Sequence, residues 1–257
     1  VPLGRFSVSV IIPVYNGAAF LADAVASVRR QKVFPREIII IDDGSTDETS
    51  SMAANLGKDI RYFYQKNRGP HAAQNTGLQA ARGDVIAFLD ADDQWPDDKL
   101  SLQLPLLAES PELDIVLGCL QYVRCLKTPT DEWRDIPFLK PFFGSSCFGA
   151  ALFRARAFAK VGPLDPSLRQ GGDVDWFLRA REQGLAMAAV DRVTLYYRLH
   201  QHNLTRDHFQ RDHYLLQALK KSLNRRRQAN GKTIVNLPDL PRPIPAAGAA
   251  PAGKRKS

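Results

Sequence analysis

The chain has 257 residues, 44% of them hydrophobic, enough to bury the core of one large α/β domain or two small ones. Its net charge of +8 is uneven: residues 1–204 hold 23 Lys/Arg and 24 Asp/Glu, a net of −1, while residues 205–257 hold 12 and 3, a net of +9. A near-neutral body without a nucleic-acid motif excludes nucleic acid as the expected partner and confines the basic excess to the C-terminal segment.

No window approaches the roughly 20 uninterrupted apolar residues of a membrane-spanning helix. The opening stretch VPLGRFSVSVIIPVYN lacks the basic n-region and long apolar h-region of a signal peptide. The expectation is a soluble or peripheral protein of the cytoplasm, at most at the inner face of the membrane. Cys119, Cys125 and Cys147 form no CxxC pair, which argues against disulfides or zinc and for small buried hydrophobes in a reducing compartment.

Periodicity predicts strands at Ser7–Pro13, Glu37–Ile41, Arg61–Tyr64, Val85–Leu89 and Ile115–Tyr122. Helices are predicted at Ala18–Arg30, Thr46–Leu56, His71–Ala81 and Asp97–Glu109. The first helix places Phe20, Leu21, Ala24, Val25 and Val28 on one apolar face. Strands such as EIIII and VIAFL do not alternate, the pattern of parallel strands buried on both faces. The βαβα order implies a doubly wound sheet, which binds ligands beyond the carboxyl ends of its strands.

Residues 125–147, with three prolines, read as a long functional loop or lid. A strand and short helix follow over 148–162. Residues 171–184 give a loop, a helix from about Val174 to Glu182 and a glycine stop. Residues 187–200 are strand-rich. An amphipathic basic helix over 206–228 presents Phe209, Leu215, Leu216, Leu219 and Leu223 on its apolar side. From Leu237 onward the chain is Pro/Ala-rich, the composition of a disordered tail.

Three polar clusters end the strands: PVYNG at 13–17, DDGSTD at 42–47 and DADD at 90–93. Singly, each reads as a turn or a helix cap. On one sheet edge they would form a single crevice. In an extended segment Asp90 and Asp92 project to the same side, whereas Asp93 points elsewhere unless the chain turns. A hard divalent cation takes oxygen ligands and often combines one or two carboxylates with phosphate oxygens. D-x-D here therefore fits either a metal–diphosphate site or a solvated acidic turn.

Together VSVIIPVYNG, IIIIDDGSTDET, NRGPHAAQNTGLQAARGDVIAFLDADDQWPDDKL and GDVDWFLRA resemble family 2 glycosyltransferases of the GT-A fold, in order across residues 7–205. The resemblance implies an α/β GT-A fold, mainly a parallel doubly wound sheet, here with a C-terminal helical extension. Residues 1–205 would be the GT-A domain, with a nucleotide-binding half at 1–122 and an acceptor-binding half at 123–205. A basic amphipathic helix at 206–232 and a disordered tail at 233–257 would follow.

It further implies an inverting enzyme that transfers a sugar from a nucleotide diphosphate donor, usually a UDP-sugar, with Mn²⁺ or Mg²⁺, in cell-surface polysaccharide synthesis. Pro13, Tyr15 and Asp43 match positions that hold the nucleobase. Asp90 matches the ribose-side acid, Asp92 the metal-binding acid, and Asp173 the catalytic base. A cation offsets charge on the leaving diphosphate, while a carboxylate takes the acceptor proton during in-line attack.

Two positions depart from the family pattern. Gly172 stands where a Glu usually precedes the base, removing an acceptor or base-tuning group. Gln74 stands where Arg is common; it can hydrogen-bond a base or phosphate but brings no charge. Asp173 also fits a helix cap.

Downstream, YYRLHQHN at 196–203 offers Arg198 to the diphosphate and His200 to the metal or a phosphate, or both as ordinary surface groups. Trp95 and Trp176 suit either the wall of a sugar or acceptor pocket or the core. Asp175 and Arg179 form an i, i+4 pair. The basic helix reads as a solvated face or as a peripheral membrane contact suited to a lipid-linked acceptor, with a carbohydrate acceptor as the other option. Two rival functions remain: a non-catalytic nucleotide-sugar-binding module and metal-assisted phosphoryl transfer. The latter is disfavoured, since no Thr or Val follows D-x-D and no downstream Lys motif appears.

Overall fold

The computed structural model describes residues 6–125, 133–135, 142–143, 147–201, 203, 208–229, 237 and 239–241. Strand β1 (Val8–Val14) lies between β2 (Glu37–Asp42) and β4 (Val85–Phe88), with β3 (Ile60–Tyr64) outside β2, all parallel. Every residue of β1, β2 and β4 is buried. Side chains leave a strand on alternate faces, so non-alternating apolar runs demand cover on both sides.

Helices supply that cover. Val8, Val10, Ile12 and Val14 share one core with Leu21, Ala24, Val25 and Val28 of α1 (Ala18–Arg29) and with Leu100, Leu104 and Leu107 of α4 (Lys99–Glu109). Ile11 faces the other way, into a core with Ala73 of α3 (Pro70–Ala80), Ala157 of α5 (Ala155–Val161) and Trp176, Phe177 and Ala180 of α6 (Gly172–Glu182). The helix α3 lies so close to β1 that a Cβ on Gly77 would stand 2.3 Å from Ile11 Cγ2. Only glycine fits there.

The second half extends the same sheet. Strand β8 (Leu152–Arg154) runs antiparallel between β4 and β5 (Ile115–Cys125), and β9 (Met187–Leu199) runs parallel to β5. The short β6 (Trp133–Asp135) and β7 (Phe142–Phe143) pair antiparallel with β5, making nine strands. The rest of the predicted lid at 125–147 falls mostly outside the described residues.

Several predicted boundaries move for local reasons. Helix α2 (Thr49–Asn55) starts three residues late, because Asp47 folds the preceding segment into a turn. One Asp47 oxygen takes the Thr49 N–H and hydroxyl, and the other takes the Ala18 N–H. Helix α6 starts two residues early, at Gly172, which brings Asp173 into its first turn.

The last helix, α7 (His208–Ala229), differs most from expectation. Its cations are not simply a solvated face: Arg225 bonds Asp175 at 3.0 Å and Glu182 at 2.7 Å, and Lys221 pairs with Asp165 and Ser167. Leu215, Leu216 and Leu219 are instead exposed. Carboxylates on the body select the basic side for docking. Phe209, expected on the apolar side, lies outside the residues whose side chains are described, as does the tail beyond 241. Among the described residues no helix is long and apolar enough to cross a membrane.

The α7 contact titrates. Burial pushes the Asp165 carboxyl up, but Lys221 and the Ser167 hydroxyl and amide outweigh it and bring the group down to about 2 from 3.8. A depressed carboxyl stabilises the fold above its unfolded value and loses that contribution as pH falls through the folded one. Hydrogen exchange across residues 212–228 should therefore speed up as pH falls from about 4 to about 2, relative to the core strands. Asp165→Asn should weaken protection at pH 7 and flatten that acid response.

Candidate active site

The parallel register brings the ends of β1, β2 and β4 to one edge, where the three polar clusters meet. Asn16, with φ of 51°, adopts the left-handed turn that Asn tolerates. Its backbone N–H donates to Ser45 Oγ at 2.9 Å, and its Oδ1 accepts the Thr46 N–H at 2.8 Å. Gly17 N–H reaches Thr49 Oγ1 at 3.0 Å. Loops 13–17 and 42–49 are thus stitched together.

Above them the Tyr15 ring is exposed, whereas Pro13 is buried within β1. Asp43 is buried and accepts Arg68 N–H at 3.0 Å, Gly69 N–H at 2.8 Å and the Gln65 amide at 2.6 Å. Its carboxylate fixes the segment leading into α3.

After β4 the chain turns, with Asp93 N–H donating to Asp90 C=O at 3.0 Å. The turn separates the three acids. Asp93 is buried and accepts the Arg198 N–H at 2.9 Å. Burial, then Asp92 and Asp90, push its carboxyl well above the usual range. Asp92 faces His200, whose Nε2 lies 2.9 Å from Asp92 Oδ2, and Asn203 donates to the same oxygen at 3.4 Å. Asp90 opens to the crevice. Enclosure by the surrounding protein, then the charges of Asp92 and Asp173, push it up to about 7, and solvent reaching it moderates the first effect.

Asp173 is half-buried, and its Oδ1 accepts the Val174 N–H at 2.9 Å. Burial raises its carboxyl, while the hydrogen bond from the Val174 amide pulls it back in part. The same convergence is felt by Cys147, whose thiol is pushed up by burial and by Asp173, Asp93 and Asp90. It stays a neutral thiol. Cys147 is half-buried and Cys119 buried, both as free thiols, and the Cys125 side chain lies outside those described.

The side chains at the crevice supply part of a ligand set for a divalent cation. Among the described residues no three His, Cys, Asp or Glu side chains gather as a complete metal cluster. Asp92 and His200 do form a carboxylate–imidazole pair beside Asp90. Two protein ligands completed by diphosphate oxygens are how such cations sit on nucleotide substrates, so the residues fit a cation that arrives with its nucleotide.

Other predicted site residues serve the fold. Trp95 is buried with Nε1 donating to Gly149 C=O at 3.2 Å, and Trp176 is buried with Nε1 donating to Gly162 C=O at 2.9 Å. Neither forms an acceptor wall, because each spends both its ring and its N–H on the core. Arg198 is buried against Phe20, 4.8 Å from the ring centroid, and pairs with Asp23 at 3.1 Å. Asp175 is buried between Arg179 at 2.9 Å and Arg225 at 3.0 Å, which leaves Asp173 as the carboxylate facing the acid cluster. Gln74 is buried with Oε1 on His71.

Two contributors were not singled out in the sequence. Asn203 lies within YYRLHQHN, yet nothing local ties it to Asp92. His71 opens α3 and touches Gly172, 101 residues away; no local pattern encodes such a contact.

Known proteins resemble this chain in sequence and in fold. The glycosyl transferase family 2 model matches residues 9–160. An uncharacterized glycosyltransferase of Rickettsia typhi is 33% identical over 183 residues, covering 66% of this chain and 57% of that protein. Another from a Nostoc species is 44% identical over 174 residues, covering 62% and 54%. The chain spans little more than half the length of these relatives. Among solved structures, Staphylococcus aureus TarS 1-349 in complex with UDP-GlcNAc aligns with a TM-score of 0.65 at 19% identity, over 88% of this chain and 74% of that one. Mannosyltransferase PcManGT from Pyrobaculum calidifontis, in complex with GDP-Man and Mn²⁺, aligns with a TM-score of 0.65 at 21% identity, over 86% and 65%.

The fold is therefore the GT-A fold of nucleotide-sugar transferases. The chain belongs to glycosyl transferase family 2.

The charge coupling is directly measurable. In metal-free protein, carboxyl ¹³C NMR should show Asp90 titrating above the usual carboxylate range. Asp92→Asn, which removes the like charge, should move that midpoint down. An unmoved midpoint would show that Asp92 does not act on Asp90.

Proposed function

We propose that this chain is a metal-dependent inverting glycosyltransferase that moves a sugar from a nucleoside diphosphate donor to an acceptor hydroxyl. The observation that carries this reading is the approach of Asp173, from the N-terminus of α6, to Asp90, which also faces Asp92 at the end of β4. Family membership gives the reaction class, and structural relatives of the same fold hold UDP-GlcNAc or GDP-Man with Mn²⁺.

In this reading residues 1–122 bind the donor and 123–205 the acceptor. The exposed Tyr15 ring stacks on the nucleobase, and Asp43 keeps the adjoining backbone in place. Asp90 meets the ribose side. Asp92, with His200, would hold a divalent cation, which when bound offsets the charge gathering on the leaving diphosphate. Asp173 accepts the proton of the acceptor hydroxyl as its oxygen attacks the anomeric carbon. The new C–O bond forms as the bond to the diphosphate oxygen breaks on the opposite face, so the configuration inverts.

A raised carboxyl suits Asp173 to this step, because a base works best with a pKa near the working pH. The acceptor is a carbohydrate or a lipid-linked glycan. Helix α7 supports the lipid-linked form, since it exposes Leu215, Leu216 and Leu219 alongside Lys220 and Arg227, the make-up of an interfacial helix.

A thermal-shift screen of nucleotide sugars with and without Mn²⁺ should identify the donor, since a ligand specific to the folded state raises Tm. With that donor, Asp173→Asn should lower kcat by about 10²- to 10⁴-fold while keeping the donor-induced shift. An active Asp173→Asn would remove it as the base. Asp92→Ala should lose the Mn²⁺-dependent part of the shift, and an undiminished Mn²⁺ effect would refute its role.

A further inference from the structure

Helix α6 begins without a side-chain cap from its own N-cap, Gly171, although a helix start leaves several N–H groups in need of acceptors. One acceptor comes from another helix. The Gly172 N–H donates to His71 Nε2 at 3.2 Å, across 101 residues of sequence, and His71 is buried. A nitrogen that accepts this N–H carries no proton. The imidazole proton then sits on Nδ1, where it meets Gln74 Oε1 at 2.9 Å. The bond pattern thereby assigns the tautomer: a neutral ring held between two partners.

The same ring dictates both partners. A Cβ on residue 172 would stand 2.4 Å from His71 Cδ2 and 2.5 Å from Nε2, so any side chain there collides with the imidazole. Residue 74 must present an acceptor to Nδ1–H, which Gln does and a cationic side chain cannot. The two departures noted in the sequence are thus the two contacts of one histidine. The base-bearing turn is fixed from α3, whose own start is pinned by Asp43.

We propose that His71 is a positioning residue for sugar transfer: it caps α6 from the donor side and sets where Asp173 stands, with Gly172 and Gln74 as the residues that make room for it and orient it. This role rests on the reading of Asp173 as the base. His71 neither touches the acceptor nor carries the transferred proton. It acts through backbone placement, and a base displaced by about 1 Å costs on the order of 10²-fold in rate.

The test combines kinetics with two measurements that need no activity. His71→Ala should lower kcat by roughly tenfold to 10²-fold and leave donor KM within about twofold, because the donor contacts of loops 13–17 and 42–47 are untouched. His71→Gln, long enough to carry an oxygen to the place of Nε2, should recover most of that loss. His71→Asn keeps a donor toward Gln74 but cannot reach Gly172, and should not recover it. Equal behaviour of the Gln and Asn variants, or an unchanged kcat in His71→Ala, would overturn the role.

Independently, imidazole ¹⁵N shifts of the wild type should show Nδ1 protonated and Nε2 bare. Gly172→Ala should lower Tm by several degrees in the wild type and far less in the His71→Ala background. The reversed tautomer, or equal costs in both backgrounds, would overturn the assigned contacts. A wild type that transfers no sugar would remove Asp173 as base and this role with it, whereas an active wild type indifferent to His71→Ala would remove the role alone.

Discussion

Everything at this site depends on placing like charges at the mouth of a buried parallel sheet. Strands β1, β2 and β4 are covered on both faces and must end together, because their registers are locked to one another. Whatever follows them shares one crevice. Asp90, Asp92 and Asp93 follow β4, and their mutual repulsion in partly desolvated surroundings would cost stability if all three faced one another as carboxylates. The chain relieves this in three ways. The turn at 90–93 sends Asp93 inward to the Arg198 amide, His200 and Asn203 meet Asp92, and Asp90 is left with a raised pKa, facing the crevice. A cation at the crevice would offset the charge that remains, which is how the proposed chemistry would draw on the electrostatics of the fold.

The second half of the sheet serves that crevice by carrying partners back to it. Strand β9 runs beside β5 and delivers Arg198 and His200. The bridge between Gln94 and Tyr196 ties its course to the acid turn itself. Helix α6, anchored by the aromatic cluster of Trp176 and Phe177 with Phe148 and Phe153, brings Asp173 from the second half of the sequence. Its other carboxylate, Asp175, is used up by Arg179 and Arg225. Two acids two residues apart in one helix leave it in different directions and therefore have separate tasks, one toward the crevice and one toward α7.

The fold was legible wherever burial alone decides structure. The runs EIIII and VIAFL could only be buried strands, and the first helix showed its face through Leu21, Ala24, Val25 and Val28. The strand-end clusters followed from that order. Less legible were features decided by a partner distant in sequence. Trp95 and Trp176 carry the same residue type whether they line a pocket or a core, and only packing shows that both are core. The early start of α6 depends on an acceptor from α3. Helix α7 reads as an amphipathic helix with a free basic face, yet Asp165, Asp175 and Glu182 draw Lys221 and Arg225 inward. Residues 74 and 172 are far apart in sequence, and only the fold joins them, at His71.

The central claim is that the carboxylates after β4 hold a divalent cation together with a nucleotide diphosphate. Electron paramagnetic resonance of Mn²⁺ titrated into the protein, with and without UDP, reads this directly. Mn²⁺ should bind weakly to the protein alone and much more tightly when UDP completes the ligand set. Mn²⁺ that binds equally well without nucleotide, or that stays free in its presence, would contradict it.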